Sequence, residues 1–332
     1  MNFQHRINLL FQLADYFKTN DTAWQQVKEK AERENGWFIQ DFINLAVENI
    51  VNEFLDPGKL AAFTGNYQIP LKQTNPSSIG LVMAGNIPLV GFHDWLCIYL
   101  SGHRAVVKPS SKDETLIHHI ADKLVEFEPS LEGQTIFAPM LKGCNAYIAT
   151  GSNNSARYFD YYFKKYPHII RRNRTSVAIL DGKESSQQLE ALADDISLFF
   201  GLGCRNVTRL FVPKEYEFLP LLDALRKYNY FFDHNKYKNN YDYQLALQLL
   251  NNKYYMTNGS VLLIENESVF SPISQLNYSF YDNYNDVLPG LQNNQDIQCV
   301  IGKGFLPFGQ AQRPRLSDFA DGMDTMKFLL SL

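Results

Sequence analysis

Cysteine is scarce in this sequence and never paired: Cys97, Cys144, Cys204 and Cys299 stand far apart along 332 residues. With no CxxC spacing, neither a structural zinc nor a redox dithiol is expected. The opening MNFQHRINLLFQLADYF has no basic segment, apolar run and small-residue cleavage site of the kind that marks a secretory leader. The cysteines therefore read as thiols rather than disulfides. Long apolar runs are also missing. Val82 to Leu100 is broken by Asn86, Pro88, His93 and Asp94, so no membrane span is expected. Nor is there an excess of positive charge: the net charge is -4 and the pI about 6.0, which removes the electrostatic case for nucleic acid. A soluble, cytoplasmic protein is the expectation.

What is present is a globular balance, 45% hydrophobic and 20% charged, in a chain long enough for two domains with separate cores. Ile7, Leu10, Phe11, Ala14 and Phe17 recur at helical spacing, so the stretch to about Leu55 predicts two or three amphipathic helices. A turn-rich connector runs from Asp56-Pro57-Gly58 to Asn75-Pro76. Alternation follows: a strand at Ile79–Met83, a buried helix from Leu89 to Leu100 stopped by Gly102, and a strand at Ala105–Val107. A helix is predicted over Asp113–Phe127, strands at Thr135–Ala138 and Ala146–Thr150, and a helix over Ser155–Tyr166. A second series contains strands at Ser176–Leu180, Thr208–Val212, Val261–Ile264 and Gln298–Ile301, with helices at Ser186–Phe200 and around Tyr241–Leu250. Strand and helix in turn imply an α/β fold with parallel sheets covered on both faces. The Asn-, Lys- and Tyr-rich Tyr228–Tyr243 reads as a surface loop.

Four turns carry residues suited to chemistry, and each has a plainer reading. In GLGCRNVTRLFVP (Gly201–Pro213), glycines at 201 and 203 let backbone N–H groups approach a carbonyl at Cys204, and Arg205 would favour the thiolate. The same segment also reads as a helix cap with an incidental cysteine. In MAGNIPLVG (Met83–Gly91), Asn86 is either an oxyanion donor or a helix N-cap, with Pro88 in the first helical turn. In HRAVVKPSS (His103–Ser111), Lys108 ends a strand where open α/β sheets bind ligands, and Ser110 and Ser111 are equally helix caps. ATGSNNS (Ala149–Ser155) has the strand, Gly151-Ser152, helix order of a phosphate cradle, an order common to α/β turns.

Other candidates are weaker. His118 and His119 are consecutive on a helix and point apart, so no metal site is expected. DGKESS lacks the upstream glycine of a P-loop. YFDYYFKKY (Tyr158–Tyr166) reads first as core and surface aromatics, and otherwise as the lining of an acyl tunnel or a platform for stacking bases. Arg171, Arg172 and Arg174 read either as a solvated basic edge or as contacts to a phosphate.

In order and spacing the four turns resemble the aldehyde dehydrogenase superfamily, and so does the C-terminal LPFGQAQRPRLSDFADGMDTMKFLLSL, which matches a terminal segment that begins Pro-Phe-Gly and ends in a strand. GNIPLVGFHDWL, LSGHRAVVKPSSKD, GCRNVTRLFVP and DFADGMDTMKFL look like its acyl-CoA reductase branch, which includes the fatty-acid reductase of bacterial luminescence. The resemblance covers roughly residues 75 to 332. It implies an aldehyde dehydrogenase-like fold: N-terminal helices and a cofactor-binding domain over 1–172, a catalytic domain over 173–302, and a C-terminal segment over 303–332. It assigns Cys204 as nucleophile and Asn86 as oxyanion donor. Lys108, with Ser110 and Ser111, would hold the cofactor ribose or its 2′-phosphate, Gly151 and Ser152 the pyrophosphate, and Phe270 in VFSPIS would pack near the nicotinamide. That superfamily does not use a GxGxxG fingerprint, and the chain has none.

Two departures carry information. Hydrolytic members have a glutamate, in a Glu-Leu-Gly-Gly segment, that activates water; in HIIRRNRTSVAILDG the matching place falls on Ile170 or Arg171, with no carboxylate until Asp181. An enzyme without that base suits exchange of the acyl group between thiols. The glutamate that holds the nicotinamide ribose maps near Ser268, beside Glu267. The expected activity is thus reduction of a long-chain acyl-CoA or acyl-carrier thioester to an aldehyde with NADP(H), since no acid follows Lys108 before Asp113. The rivals are an aldehyde-oxidising dehydrogenase or an acyl phosphate reductase of the same fold, and a non-catalytic nucleotide-binding scaffold. A homo-oligomer is left open.

Overall fold

The computed structural model describes residues 1–291 and 294–332. The chain divides into two compact units, Met1–Asn173 with Pro314–Leu332, and Arg174–Arg313. The expected C-terminal segment from 303 is thereby shared: its first residues stay with the second unit, and the chain returns to the first at Pro314.

The first unit is built on a five-stranded sheet of β1 (Ser78–Val82), β2 (Arg104–Lys108), β3 (Thr135–Phe137), β4 (Ala146–Thr150) and β5 (His168–Arg171). Their order is β3-β2-β1-β4-β5, and all pairings are parallel. The chain steps outward from β1 to β3 and then crosses to the other side of β1, so strand order reverses between β1 and β4. Ligands in open α/β sheets bind beyond the carboxyl ends of strands at such a reversal. β1 is central, and its Ile79 and Leu81 are fully buried.

Helices α1 (Phe3–Phe17), α2 (Thr22–Glu34), α3 (Gln40–Asn49, continuing as a π-helical turn over Ile50–Phe54) and α4 (Pro57–Thr64) precede the sheet. α4 falls inside the expected connector; Asp56 caps it by accepting from Lys59 N, and Pro57 occupies the first turn, where its missing N–H costs nothing. The apolar stripe of α1 (Leu9, Leu10, Leu13), Trp24 and Ile43 share one core with β1, α5 (Phe92–Ser101) and α6 (Thr115–Phe127). His119 belongs to this packing: it stacks on Trp24 and hydrogen-bonds the Tyr16 hydroxyl at 2.8 Å. α5 is buried on every side and ends at Gly102, whose φ of +81° is the left-handed cap that glycine supplies most cheaply. It begins three residues later than expected, because Leu89 adopts a left-handed turn (φ 55°) before it and Pro88 stands in that turn. α7 (Asn153–Phe163) follows β4 and leaves Tyr158, Tyr161 and Tyr162 exposed.

The second unit carries β6 (Thr175–Ile179), β7 (Val207–Pro213), β8 (Met256–Thr257), β9 (Leu262–Glu265), β10 (Gln275–Tyr281) and β11 (Ile297–Gly302) in the order β11-β6-β7-β10-β9-β8, parallel except for β8. Its helices are α8 (Ser186–Ser197), α9 (Leu219–Ala224), α10 (Asn235–Leu250) and α11 (Tyr284–Leu291). The surface-loop reading of Tyr228–Tyr243 is overturned. A 3-10 stretch over Leu225–Asp233 leads into α10, and Tyr228, Phe231, Tyr237 and Tyr241 are buried. Tyrosine buries its ring while its hydroxyl finds a partner, here Asp194 at 2.5 Å for Tyr228 and Thr257 at 2.9 Å for Tyr241. The C-terminus ends in a helix, α12 (Thr325–Leu330), and not the strand implied by resemblance; α12 packs on α5. Among the described residues no helix is long and apolar enough to cross a membrane.

Candidate active site

Three turns meet beyond the carboxyl ends of the first sheet. β1 leads into Met83–Leu89, β2 into Lys108–Ser111 and β4 into Gly151–Ser152. The first two touch so closely that a Cβ at Gly85 would lie 2.6 Å from Ser110 Cβ, so no larger residue fits. A Cβ at Gly151 would lie 2.9 Å from Ser155 Cβ and 3.0 Å from the Phe159 ring. Between the turns is a cavity of about 610 Å³ lined by Lys108, Ser110, Ser111, Thr150 and Gly151, with Phe137 and Phe159 as apolar walls. That volume suits a small organic ligand or nucleotide. Ser152 instead caps α7, accepting from Ser155 N at 3.2 Å. Asn86 stands exposed in its turn. Glu114, the residue after Asp113, lines the same cavity as Lys108.

Asp113 lies behind these turns. Its Oδ2 accepts from Leu89 N at 2.7 Å, and burial pushes its carboxyl up to about 7 against that bond.

Cys204 lies in the second unit, at the amino end of β7. The chain leaves α8 through Phe199 and Phe200, both at φ 56°, and Gly201 at φ 72°, three successive left-handed residues. Only glycine adopts this conformation cheaply, so the two phenylalanines must be held by their surroundings. Asn206, fully buried, supplies much of the hold. Its Nδ2 donates to the carbonyls of Leu198 (2.9 Å), Asp195 (3.2 Å) and Ile196 (3.2 Å), and its Oδ1 accepts from Gly203 N (2.8 Å). Ser176 Oγ donates to the Cys204 carbonyl at 3.2 Å, while Cys299 Sγ lies 3.0 Å from the same hydroxyl. Cys204 and Cys299 are half-buried; Cys97 and Cys144 are buried.

Phe270 belongs to the same edge of the sheet. The Thr208 hydroxyl, at the start of β7, donates to the Val269 carbonyl at 2.5 Å and meets the Thr175 hydroxyl at 2.6 Å. The loop carrying Phe270 is thereby tied to the strand that follows Cys204. Arg205 donates from Nε to the Ala311 carbonyl at 2.8 Å. Asp195 accepts from Gly309 N (2.7 Å) and Ala311 N (2.9 Å), pinning the Pro-Phe-Gly segment under the cysteine loop. Burial pushes the Asp195 carboxyl up to about 7, against those two N–H bonds.

Arg171 is neither a solvated edge nor a phosphate contact. Buried at the end of β5, it pairs with Asp94 on α5 and donates to Thr325 Oγ1 on α12 at 2.8 Å. Arg172 pairs with Asp160, and Arg174 donates to the Ile297 carbonyl. Sequence reasoning passed over Asn206, Asp113, Asp195 and Thr208. Of these only Asn206 carried a local sign, a polar residue two positions from the candidate nucleophile in a stretch about to become a strand.

A family model described as acyl-CoA reductase (LuxC) matches residues 48–301. A sequence search of curated proteins found no match. Among solved structures, the chain is similar to aldehyde dehydrogenase 21 from Physcomitrella patens in complex with the reaction product succinate, at 13% identity and a TM-score of 0.70, covering 100% of this chain and 84% of that one. It is similar to an NAD-dependent aldehyde dehydrogenase from Sinorhizobium meliloti, at 10% identity and a TM-score of 0.66, over 91% of this chain and 70% of that one. An aldehyde dehydrogenase from Bacillus cereus in its NAD+ complex gives 15% identity and a TM-score of 0.62, over 89% and 70%. At these identities the likeness is one of fold: this chain has the aldehyde dehydrogenase-like fold.

Proposed function

The chain belongs to the acyl-CoA reductase (LuxC) family, and from that premise we propose that it reduces an acyl-CoA or acyl-carrier thioester to an aldehyde through an acyl group held on Cys204. The observation that carries this reading is the strained, glycine-flanked loop of Cys204, clamped by Asn206 at the amino end of β7. Strain of this kind is maintained where it serves a site.

In this mechanism the Cys204 thiolate attacks the thioester carbonyl, the new C–S bond forms, and the carrier thiol leaves with the electron pair of the old one. The Cys204 backbone N–H and the Asn86 side chain stabilise the oxyanion. Lys108, Ser110, Ser111 and Gly151 would hold a reduced nicotinamide nucleotide, which would supply the hydride that takes the enzyme thioester to the aldehyde level. Cys204 is then released as thiolate while the aldehyde departs. The place that matches the hydrolytic glutamate, Ile170 or Arg171, carries no base to activate water, which supports transfer over hydrolysis.

The cavity beyond the first sheet fits a dinucleotide phosphate, with Lys108, Ser110 and Ser111 as donors and Gly151 permitting close approach. A cation with hydroxyls favours the 2′-phosphate of NADP(H). Glu114 favours the second reading, NAD(H), because a carboxylate accepts from a ribose 2′-hydroxyl and repels a phosphate. Comparing kcat/KM for NADPH and NADH in wild type, Lys108→Ala and Glu114→Gln separates the two. Preference for NADPH that Lys108→Ala abolishes supports the first, and preference for NADH that Glu114→Gln abolishes supports the second.

The nucleophile is tested by intact mass after mixing with an acyl-CoA in the absence of reduced cofactor. Wild type gains one acyl group, Cys204→Ala gains none, and later NADPH discharges the adduct as aldehyde. An adduct on Cys97, Cys144 or Cys299 overturns the assignment.

A further inference from the structure

Asp113 is a buried acid that the mechanism above leaves without a task. It is 8% exposed, its backbone N–H donates to Ser110 O at 2.9 Å, and its Oδ2 accepts from Leu89 N at 2.7 Å. Its other oxygen, Oδ1, is buried with no hydrogen-bond partner. Such an oxygen is costly, and one backbone bond is a small return to stability beside it.

What the bond does locally is specific. Leu89 sits at φ 55°, a conformation that leucine adopts only when something holds it there. At the other end of the same turn Gly85 packs on Ser110 and, at 3.2 Å for an added Cβ, on Asp113 Cβ. The five residues Gly85–Leu89 are therefore gripped at both ends by the Ser110–Asp113 segment, and Asn86 stands between the grips.

We infer that Asp113 is a positioning residue, whose carboxylate fixes the Gly85–Leu89 turn so that Asn86 is presented in one orientation to the oxyanion. The inference rests on the reading of Asn86 as oxyanion donor. The isosteric Asp113→Asn retains an acceptor for Leu89 N; Asp113→Ala and Asp113→Leu do not. A misplaced donor costs rate rather than substrate affinity, by up to about 10²-fold for a displacement near 1 Å.

The experiment is a double-mutant cycle on the full-length protein, reading kcat and KM for the acyl-CoA together with thermal midpoint. Expected are a kcat lowered by roughly 10–10²-fold in Asp113→Ala with KM changed less than about twofold, and a kcat mostly restored in Asp113→Asn. In an Asn86→Ala background Asp113→Ala should lower kcat no further. If Asn86→Ala itself leaves kcat within about twofold of wild type, against the roughly 10²–10³ expected for an oxyanion donor, the reading of Asn86 fails and this inference with it. If Asn86→Ala is slow but Asp113→Ala costs the same factor in both backgrounds, only the positioning role is overturned. Failure of both Asp113→Ala and Asp113→Leu to fold assigns the carboxylate to the fold alone and likewise overturns it.

Discussion

Replacing Asn206 with alanine should both loosen the second unit and disable the cysteine loop. The side chain is fully buried and makes four hydrogen bonds, three to carbonyls at the end of α8 and one from Gly203 N. Each buried group left unpaired costs about 1–3 kcal/mol. Gly203 N and the Leu198 carbonyl, held by the two shortest bonds, together set roughly 2–6 kcal/mol. Relaxation of Phe199 and Phe200 out of the left-handed region returns part of this, at about 1–3 kcal/mol per strained residue. A net loss near 3 kcal/mol corresponds to a fall of roughly 10 °C in thermal midpoint. The same relaxation moves the Cys204 backbone N–H, proposed above as an oxyanion donor, so acylation of Cys204 should slow by more than about tenfold. Calorimetry and the rate of adduct formation from an acyl-CoA measure the two effects. A midpoint within about 2 °C of wild type, with unchanged acylation, would refute the clamp.

Three further outcomes are expected. Gly85→Ala places a methyl 2.6 Å from Ser110, an overpacking worth about 1–3 kcal/mol, and should weaken binding of whichever reduced nicotinamide nucleotide the protein prefers by displacing the Lys108–Ser111 turn; an unchanged Kd by fluorescence titration would count against that geometry. Arg171→Met leaves Asp94 buried without its cation and should lower stability by roughly 3–5 kcal/mol in denaturant unfolding, whereas a loss under about 1 kcal/mol would show the pair to be dispensable. Asp195 is held up to about 7 when folded against about 3.9 when unfolded, so the folded state binds its proton more tightly and stability falls as pH rises through that window. Asp195→Asn should flatten this part of the stability–pH curve, and a slope identical to wild type would contradict the assignment.

The turns proposed to bear chemistry were legible as candidates because chemistry at a strand end needs particular residue types in short order. Lys108, Ser110, Ser111 and Gly151 stand apart in sequence and line one cavity in the structure. Tyr228–Tyr243 was illegible for the opposite reason: apart from Phe231 its buried residues are tyrosines, and the buried face of α10 continues through Gln244 and Gln248, which a hydrophobic periodicity does not register. α12 was misread because its docking depends on Thr325 reaching Arg171 and Asp94, partners more than 150 residues away in sequence.

The same distinction explains why the supporting residues were missed while the residues they support were not. A candidate nucleophile is recognised by its neighbours in sequence, as Cys204 is by Gly201 and Gly203. A clamp is recognised only by its neighbours in space. Asp195 holds Gly309 and Ala311, Thr208 holds Val269, and Asp113 holds Leu89, each across a gap in sequence that no motif spans. In each case a polar side chain at least partly buried satisfies backbone that has left regular structure, and such backbone must be paired once water is excluded. Irregular backbone is also what lets Cys204 and Asn86 project from the ends of strands. A substitution that regularised either loop would remove the need for its clamp, and it would also withdraw the side chain that the loop presents.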